Sequence, residues 1–430
     1  MGSQHPMSGT GETPSDPLRW TLVLTLTFLV LSLWRIATPG TPMFDEVHYL
    51  PAARSLLDDW TWTNREHPML GKQLIALGIV LFGDTAWGWR VFPAVFGALA
   101  LFAGMRALWF ASLSRFASLT FGVLLATGFH LFVHARIAML DGFMVAFFLV
   151  ALWQYAAAVR EPEKGKWRLA LAGVALGLAM GTKWNVALLA MLPGLAFFFA
   201  RLSAGRRRLV TSRRGLPVPG VALWEAALLL GALPLIAYWL TYWPAYLAPQ
   251  DPLQPGGFIE LHRHMLELQE SVKQPHPYQS QWPDWLLNLR AIWYLYEKVD
   301  GAQRGVVLLG NPLTMVLGLP AMLWAGWAGI AKRRWDALAV ALLFAVGLGM
   351  WIVAAKPIQF YYHYFLPSCF LLAALALALD EFWQRGWRLT ALAAVGGSML
   401  TFAYFYPILS AWPLAGEMAF TSWAWIEGWR

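Results

Sequence analysis

Residues 19–50 read RWTLVLTLTFLVLSLWRIATPGTPMFDEVHYL. An apolar run long enough to cross a bilayer as a helix stops at Thr38-Pro39-Gly40, and two adjacent carboxylates, Asp45 and Glu46, follow at once. Charges kept beside an apolar phase are costly, so they are the first candidates for function. Runs of about 20 apolar residues, each enough to span a membrane, recur along the whole chain. Of the 430 residues, 58% are hydrophobic and 13% charged, where a soluble domain carries roughly a quarter charged. The roughly 10-residue alternating segments of a β-barrel are missing. The pattern predicts an all-α polytopic membrane protein with eleven spans, near 19–37, 88–110, 116–133, 138–159, 168–182, 184–200, 222–243, 308–330, 337–354, 365–380 and 389–406.

The first external segment, 38–87, holds two amphipathic stretches, 46–58 and 70–82, that are read as helices lying in the interface. The single cysteine, Cys369, excludes an internal disulfide framework. The formal charge of +8 is dispersed in loops, which argues against nucleic acid and for topology. Arg160/Lys164/Lys166/Arg168, Arg201/Arg206/Arg207/Arg208/Arg213/Arg214, Lys332/Arg333/Arg334 and Arg385/Arg388 all fall on one side of the span map. The positive-inside rule makes that side cytoplasmic. The N-terminus is then cytoplasmic. Segments 38–87, 134–141, 244–307, 355–364, the tail 407–430 and Lys183 face outward from an inner (plasma) membrane. Residues 1–18 are polar and rich in Gly, Pro and Ser, a composition expected to be disordered. Residues 1–6 read as an added leader and Met7 as the natural start.

Candidate residues scattered over 300 positions map to the external side: Asp45, Glu46, His67, Lys72, Arg90, Arg136, Asp141, Lys183, Lys356, His363 and Tyr364. Asp45 can act as a general base toward a hydroxyl within hydrogen-bond reach. Glu46 points about 100° away on a helix and is expected to orient a neighbour. His48 would share a face with Asp45. The plain alternative is an acidic first turn favoured by the helix dipole. Lys72 and Arg90 suit an anionic group, against snorkelling from an interfacial helix for Lys72 and interfacial anchoring among Trp87, Trp89 and Phe92 for Arg90. Arg136 and Asp141, in H-A-R-I-A-M-L-D-G, are weighed against a loop ion pair. Lys183, in G-T-K-W-N, has the same two readings. His262 and His264 with Glu260 and Glu267 match no strong zinc spacing and are read as a solvated helix at 257–272. No Walker loop, G-x-G-x-x-G or H-E-x-x-H occurs, and no metal or other cofactor is expected. A secondary transporter would carry ionisable groups near span centres and repeated halves, which the sequence lacks.

The runs F-D-E-V-H-Y, H-P-M-L-G-K, W-R-V-F-P-A-V-F-G, A-R-I-A-M-L-D and G-T-K-W, then N-P-L-T-M at 311–315 and K-P-I-Q-F-Y-Y-H-Y-F-L-P-S at 356–368, resemble the protein O-mannosyltransferase family. These are membrane glycosyltransferases of the GT-C fold that take sugar from a polyprenyl-phosphate. The resemblance implies Asp45 as catalytic base with Glu46 supporting it. It places His67, Lys72, Arg90, Arg136, Lys183 and Lys356 near the lipid-linked donor, with His48, Asp141, Trp184, His363 and Tyr364 as supporting, acceptor or sugar residues. It divides the chain into a catalytic transmembrane module, 19–243, an external loop, 244–307, and a C-terminal four-helix region, 308–406. Met69 stands where the family has a second Pro, and 244–307 is too short for the β-trefoil of eukaryotic members, which points to a bacterial-type enzyme. The implied reaction moves a hexose, with mannose expected, to Ser or Thr of an exported polypeptide near the translocon, with inversion. A lipid or glycan acceptor is the alternative within the fold.

Overall fold

The computed structural model describes residues 14–205, 208–271, 273–354 and 356–430. Arg206, Arg207 and the expectations for residues 1–13 lie outside the described residues.

The chain begins with α1 (Leu18–Leu33), α2 (Glu46–Asp58), α3 (Leu70–Phe82), α4 (Ala86–Ser112), α5 (Arg115–Thr127) and α6 (His130–His134). It continues with α7 (Leu140–Arg160), α8 (Gly165–Thr182) and α9 (Ala187–Ser203), then α10 (Leu223–Ala227) and α11 (Leu233–Leu240), joined by a π-helical turn. The segment between α11 and the last four long helices holds α12 (Trp243–Leu247), α13 (Phe258–Ser271), α14 (Trp282–Leu286) and the strands β1 (Ile292–Val299) and β2 (Ala302–Leu308). Last come α15 (Pro312–Ala331), α16 (Trp335–Val353), α17 (Phe365–Gln384) and α18 (Arg388–Leu409). A helix stands at each expected span. Among the described residues eight segments are long and apolar enough to cross a membrane. The rest are α1 and α5, which are shorter, and α8, whose first turns carry Lys166 and Arg168. Residues 14–17 depart from the expected disorder: Asp16 pairs with Arg106, and Ser15 accepts from Arg115.

Two features position the site. The first is a small-residue stripe on α8, Gly173, Gly177 and Gly181, spaced four apart on one face. A Cβ at Gly173 would lie 1.9 Å from the Leu229 carbonyl oxygen, and one at Gly177 2.4 Å from that of Pro234. Glycine therefore lets α8 touch the π-turn and α11 backbone to backbone, the close packing that small residues permit between membrane helices. Lys183 caps the end of α8, so this contact fixes its place. The second feature departs from the all-helical expectation. β1 and β2 form an antiparallel hairpin closed by Asp300-Gly301, both at positive φ, as a two-residue hairpin turn requires. Its tip reaches the segment between α1 and α2, where Gly40 N donates to the Asp300 carboxylate at 2.9 Å. The segment after α18 pairs with the hairpin through Leu414 and Gln303.

Candidate active site

Asp45 occupies the N-cap position of α2, yet its side chain caps nothing. Its one hydrogen-bond partner among the described residues is the Tyr49 hydroxyl at 3.4 Å, four residues along the helix. The acidic first-turn reading would have the carboxylate bonded to backbone N–H groups; here it stays available. The expected partner at i+3, His48, is exposed on the outer face. Asp45 is half-buried. Burial pushes its pKa up; Lys183 opposes the rise and Asp141 adds to it.

Glu46 is fully enclosed. It receives Arg90 in a two-pronged pair, Nε at 2.8 Å and Nη2 at 2.7 Å, and also the backbone N–H groups of Met43 and Ala138, each at 2.8 Å. One carboxylate thus ties the loop before α2, the start of α4 and the turn before α7. It sets the direction of its neighbour Asp45.

The second carboxylate of the site, Asp141, opens α7 and is held by both oxygens to Lys183 Nζ, at 2.9 and 2.8 Å. Lys183 also lies over the Tyr362 ring at 4.7 Å. A buried ion pair survives only with such geometry and added contacts. Beside it a narrow crevice is lined by Asp141, Asn185, Leu189, Met350, Tyr362 and His363. His363 Nδ1 lies 2.9 Å from Phe360 N and 3.0 Å from the Phe360 carbonyl oxygen, which leaves Nε2 facing away from the backbone. That Nε2 and Asn185 Oδ1 are buried without a hydrogen-bond partner among the described residues.

Sequence models of two regions match: residues 80–246 as dolichyl-phosphate-mannose-protein mannosyltransferase, and residues 255–429 as the C-terminal four-transmembrane region of protein-O-mannosyltransferase. The chain belongs to the protein O-mannosyltransferase family. It is 27% identical to a polyprenol-phosphate-mannose–protein mannosyltransferase of Corynebacterium glutamicum, over 99% of this chain and 98% of that one. A Mycobacterium tuberculosis protein of the same name is 27% identical over 97% and 93%. In fold it is similar to the Saccharomyces cerevisiae Pmt1-Pmt2 complex bound to the sugar donor, with TM-score 0.80, 15% identity, and coverage of 100% and 96%. It is also similar to ArnT of Cupriavidus metallidurans bound to undecaprenyl phosphate, with TM-score 0.57, 18% identity, and coverage of 91% and 65%. These likenesses place the chain in the GT-C fold.

Within this protein O-mannosyltransferase the structure separates residues that the resemblance grouped together. Arg90 is not a free phosphate ligand. Its guanidinium has no exposed surface, and Glu46 with the carbonyls of Ile36, Pro39 and Thr41 takes up its donors. Arg136 likewise turns from phosphate to backbone. It donates to Ser32 and Trp34 at 2.7 Å, Arg35 at 3.3 Å and Ser410 at 3.4 Å, filling carbonyls that helix C-termini leave unpaired. Lys72 is buried and gives its three protons to the carbonyls of Thr63, Asn64 and His67, at 3.2, 2.7 and 3.0 Å. Burial brings its pKa down to about 7. It shapes the loop that presents His67 and does not reach outward. Tyr364 also moves out of the site. In the 3₁₀ turn Tyr361–Tyr364, side chains three apart eclipse, so Tyr361 and Tyr364 both face the helix core. Tyr362 takes the site position.

His67 and Lys356 remain as expected neighbours of the carboxylates. Burial, with Lys183, Lys356 and Lys72 nearby, holds the His67 imidazole well below its usual pKa, and its Nδ1 has no partner among the described residues. Lys356 Nζ contacts the neutral Gln269 Oε1 at 2.7 Å. Trp184 is half-buried, packed on the core at the start of α9. His262 and His264 diverge: His262 Nε2 bonds the Tyr238 hydroxyl at 2.6 Å, and His264 lies 3.6 Å from Glu267. Tyr294 was missed. It comes from β1, stacks on Phe44 at 4.6 Å and reaches His134 Nε2 with its hydroxyl at 3.4 Å. The Asp300-Gly301 pair, a strong hairpin signal between apolar runs, would have pointed to that strand.

Proposed function

We propose that this protein transfers mannose from a polyprenyl-phosphate-mannose donor to Ser or Thr hydroxyls of a polypeptide, with inversion at the anomeric carbon. One observation carries the reading: a carboxylate that caps nothing, Asp45, shares a cluster with Lys356, a cation with no carboxylate partner among the described residues. The names borne by the actinobacterial relatives supply the donor and the acceptor.

In the proposed step the acceptor oxygen attacks the anomeric carbon while Asp45 takes its proton. The bond from that carbon to the phosphate oxygen breaks, and its electron pair leaves with the polyprenyl phosphate. Lys356 and neutral His67 hold that anion. Such preset donors act where charge develops. Glu46 and Arg90 aim Asp45, and the Asp141–Lys183 pair frames the sugar. The apolar residues of the crevice, Leu189 and Met350 among them, receive the lipid. The step needs no metal. The site and the C-terminus lie on the external face and the N-terminus inside, with the polypeptide met near the translocon. The division into a catalytic module, 19–243, and a C-terminal region, 308–406, goes with this reading.

The test offers purified protein a labelled polyprenyl-phosphate-mannose with peptide, lipid and glycan acceptors. Mannosylated Ser or Thr peptide is the expected product, and Asp45→Asn lowers it by roughly 10²–10⁴-fold with unfolding temperature preserved. Retained transfer by Asp45→Asn overturns the base assignment. Label in lipid or glycan alone overturns the acceptor.

A further inference from the structure

The geometry points to Gln269, on α13, as the positioning residue of the donor site: its side-chain amide holds Lys356 and fixes its distance from the loop carrying His67. The inference rests on Lys356 and His67 receiving the donor phosphate, and it deepens that reading by naming what sets their spacing.

An amide end accepts and donates at once, and Gln269 uses both capacities across two separate segments. Its Oε1 accepts from Lys356 Nζ at 2.7 Å, and its Nε2 donates to the carbonyl of Glu66 at 3.3 Å. Glu66 immediately precedes His67, and Lys72 already holds the carbonyls on either side of Glu66's loop, at Asn64 and His67. The 63–67 loop is therefore gripped from below by Lys72 and from the side by Gln269. α13 is seated through Leu261 and Met265, while Ile259 and Leu266 stay exposed, so Gln269 at its last turn is free to reach inward.

The chemistry of the contact matters as much as its place. A carboxylate at 269 would hold Lys356 equally well but would neutralise it. A neutral acceptor fixes the ammonium and leaves its charge for an incoming anion. The charged groups facing Lys356 are Lys183 at the end of α8, Asp45 at the start of α2, Asp141 on α7 and Glu66 on the loop, and the titratable imidazoles beside it are His67 and His363. Burial brings its pKa down to about 8; Lys183 adds to the fall, and the three carboxylates oppose it. The ammonium that binds phosphate is thus lost as pH rises through that value.

The full-length protein is assayed with labelled polyprenyl-phosphate-mannose and a Ser/Thr peptide, measuring donor KM and kcat separately across neutral and alkaline pH. Gln269→Leu raises donor KM about tenfold, the worth of one charge-assisted hydrogen bond, with kcat within about threefold. Its alkaline limb in kcat/KM moves to lower pH, because the ammonium loses an acceptor. Gln269→Glu moves that limb to higher pH, because a carboxylate favours the charged form. A KM rise without these opposite shifts would mark Gln269 as packing for α13 alone and overturn the inference. Unchanged KM and unchanged limbs in both variants would also overturn it, while a raised KM in Lys356→Met would leave the donor reading standing. A wild-type protein that moves no mannose removes both.

Discussion

Breaking the Arg90–Glu46 pair should unfold the protein more easily without touching any group that meets substrate. Both side chains are 0% exposed, and removing one partner of such a pair leaves an uncompensated buried charge, a cost of about 3–5 kcal/mol. Glu46→Ala also strands the N–H groups of Met43 and Ala138, so its cost belongs at the upper end. At roughly 2–4 °C per kcal/mol for a sizeable domain, the thermal midpoint should fall by on the order of 10 °C. Arg90→Met should cost a similar amount, since Glu46 is then the stranded charge. The double variant Glu46→Leu/Arg90→Met should cost less than the two singles added together, by about 2–3 kcal/mol. Transfer should be lost in all three, because Asp45 loses its orientation. The assay is thermal unfolding of the purified proteins in one detergent, alongside mannosyl transfer to peptide. Single variants as stable as wild type, or costs that simply add in the double, would refute the pairing as the support of the site.

Other outcomes follow from the same geometry. Because burial raises the Asp45 pKa, kcat/KM should climb with pH through a value above the ordinary carboxylate range. The folded state also binds this proton more tightly than the unfolded chain, so Asp45 contributes least to stability at high pH. Asp45→Asn should therefore lower transfer by roughly 10²–10⁴-fold while unfolding at no lower temperature than wild type at neutral pH. Lys72→Leu should raise donor KM by releasing the carbonyls of residues 63, 64 and 67, with the acid limb set by Asp45 left in place. Tyr362→Ala should impair transfer through Lys183, whereas Tyr364→Ala should act on stability, as a core truncation costing about 3–5 kcal/mol, read by the same melting assay. Asp300→Ala should free Gly40 from the hairpin tip and lower activity more than stability, measured by peptide transfer.

The sequence was most legible where one rule acts alone. Apolar length announced the spans, and amphipathic spacing marked α2 and α3, whose observed bounds, Glu46–Asp58 and Leu70–Phe82, coincide with the expected stretches. Convergence of Asp45, Asp141, Lys183, His67 and Lys356 also followed from sidedness. What one-dimensional reading could not supply was the assignment of cations to partners. Arg90, Arg136 and Lys72 have the charge a phosphate wants, and so do the carboxylate and backbone carbonyls that actually hold them. Only the arrangement of loop carbonyls in space decides between the two. Tyr362 and Tyr364 differ by two positions in a turn whose period is three, so a helical reading of that segment selects the wrong ring. The strand that brings Tyr294 was obscured for a different reason: the apolar end of its partner β2 continues through residues 306–309 toward α15 and reads as the start of that span, which hides the hairpin.

The hairpin also bears on the order in which the site comes into being. Asp45 is synthesised well before the Asp300 tip that grips its loop, Tyr294 and finally Lys356. Domains gain structure as they are made, N-terminal parts first. The proposed base thus precedes part of its surroundings by some two hundred and fifty residues or more. A chain halted before the hairpin would carry Asp45 without Tyr294, Asp300 or Lys356, so the proposed base gains that part of its setting only when the later segments are made.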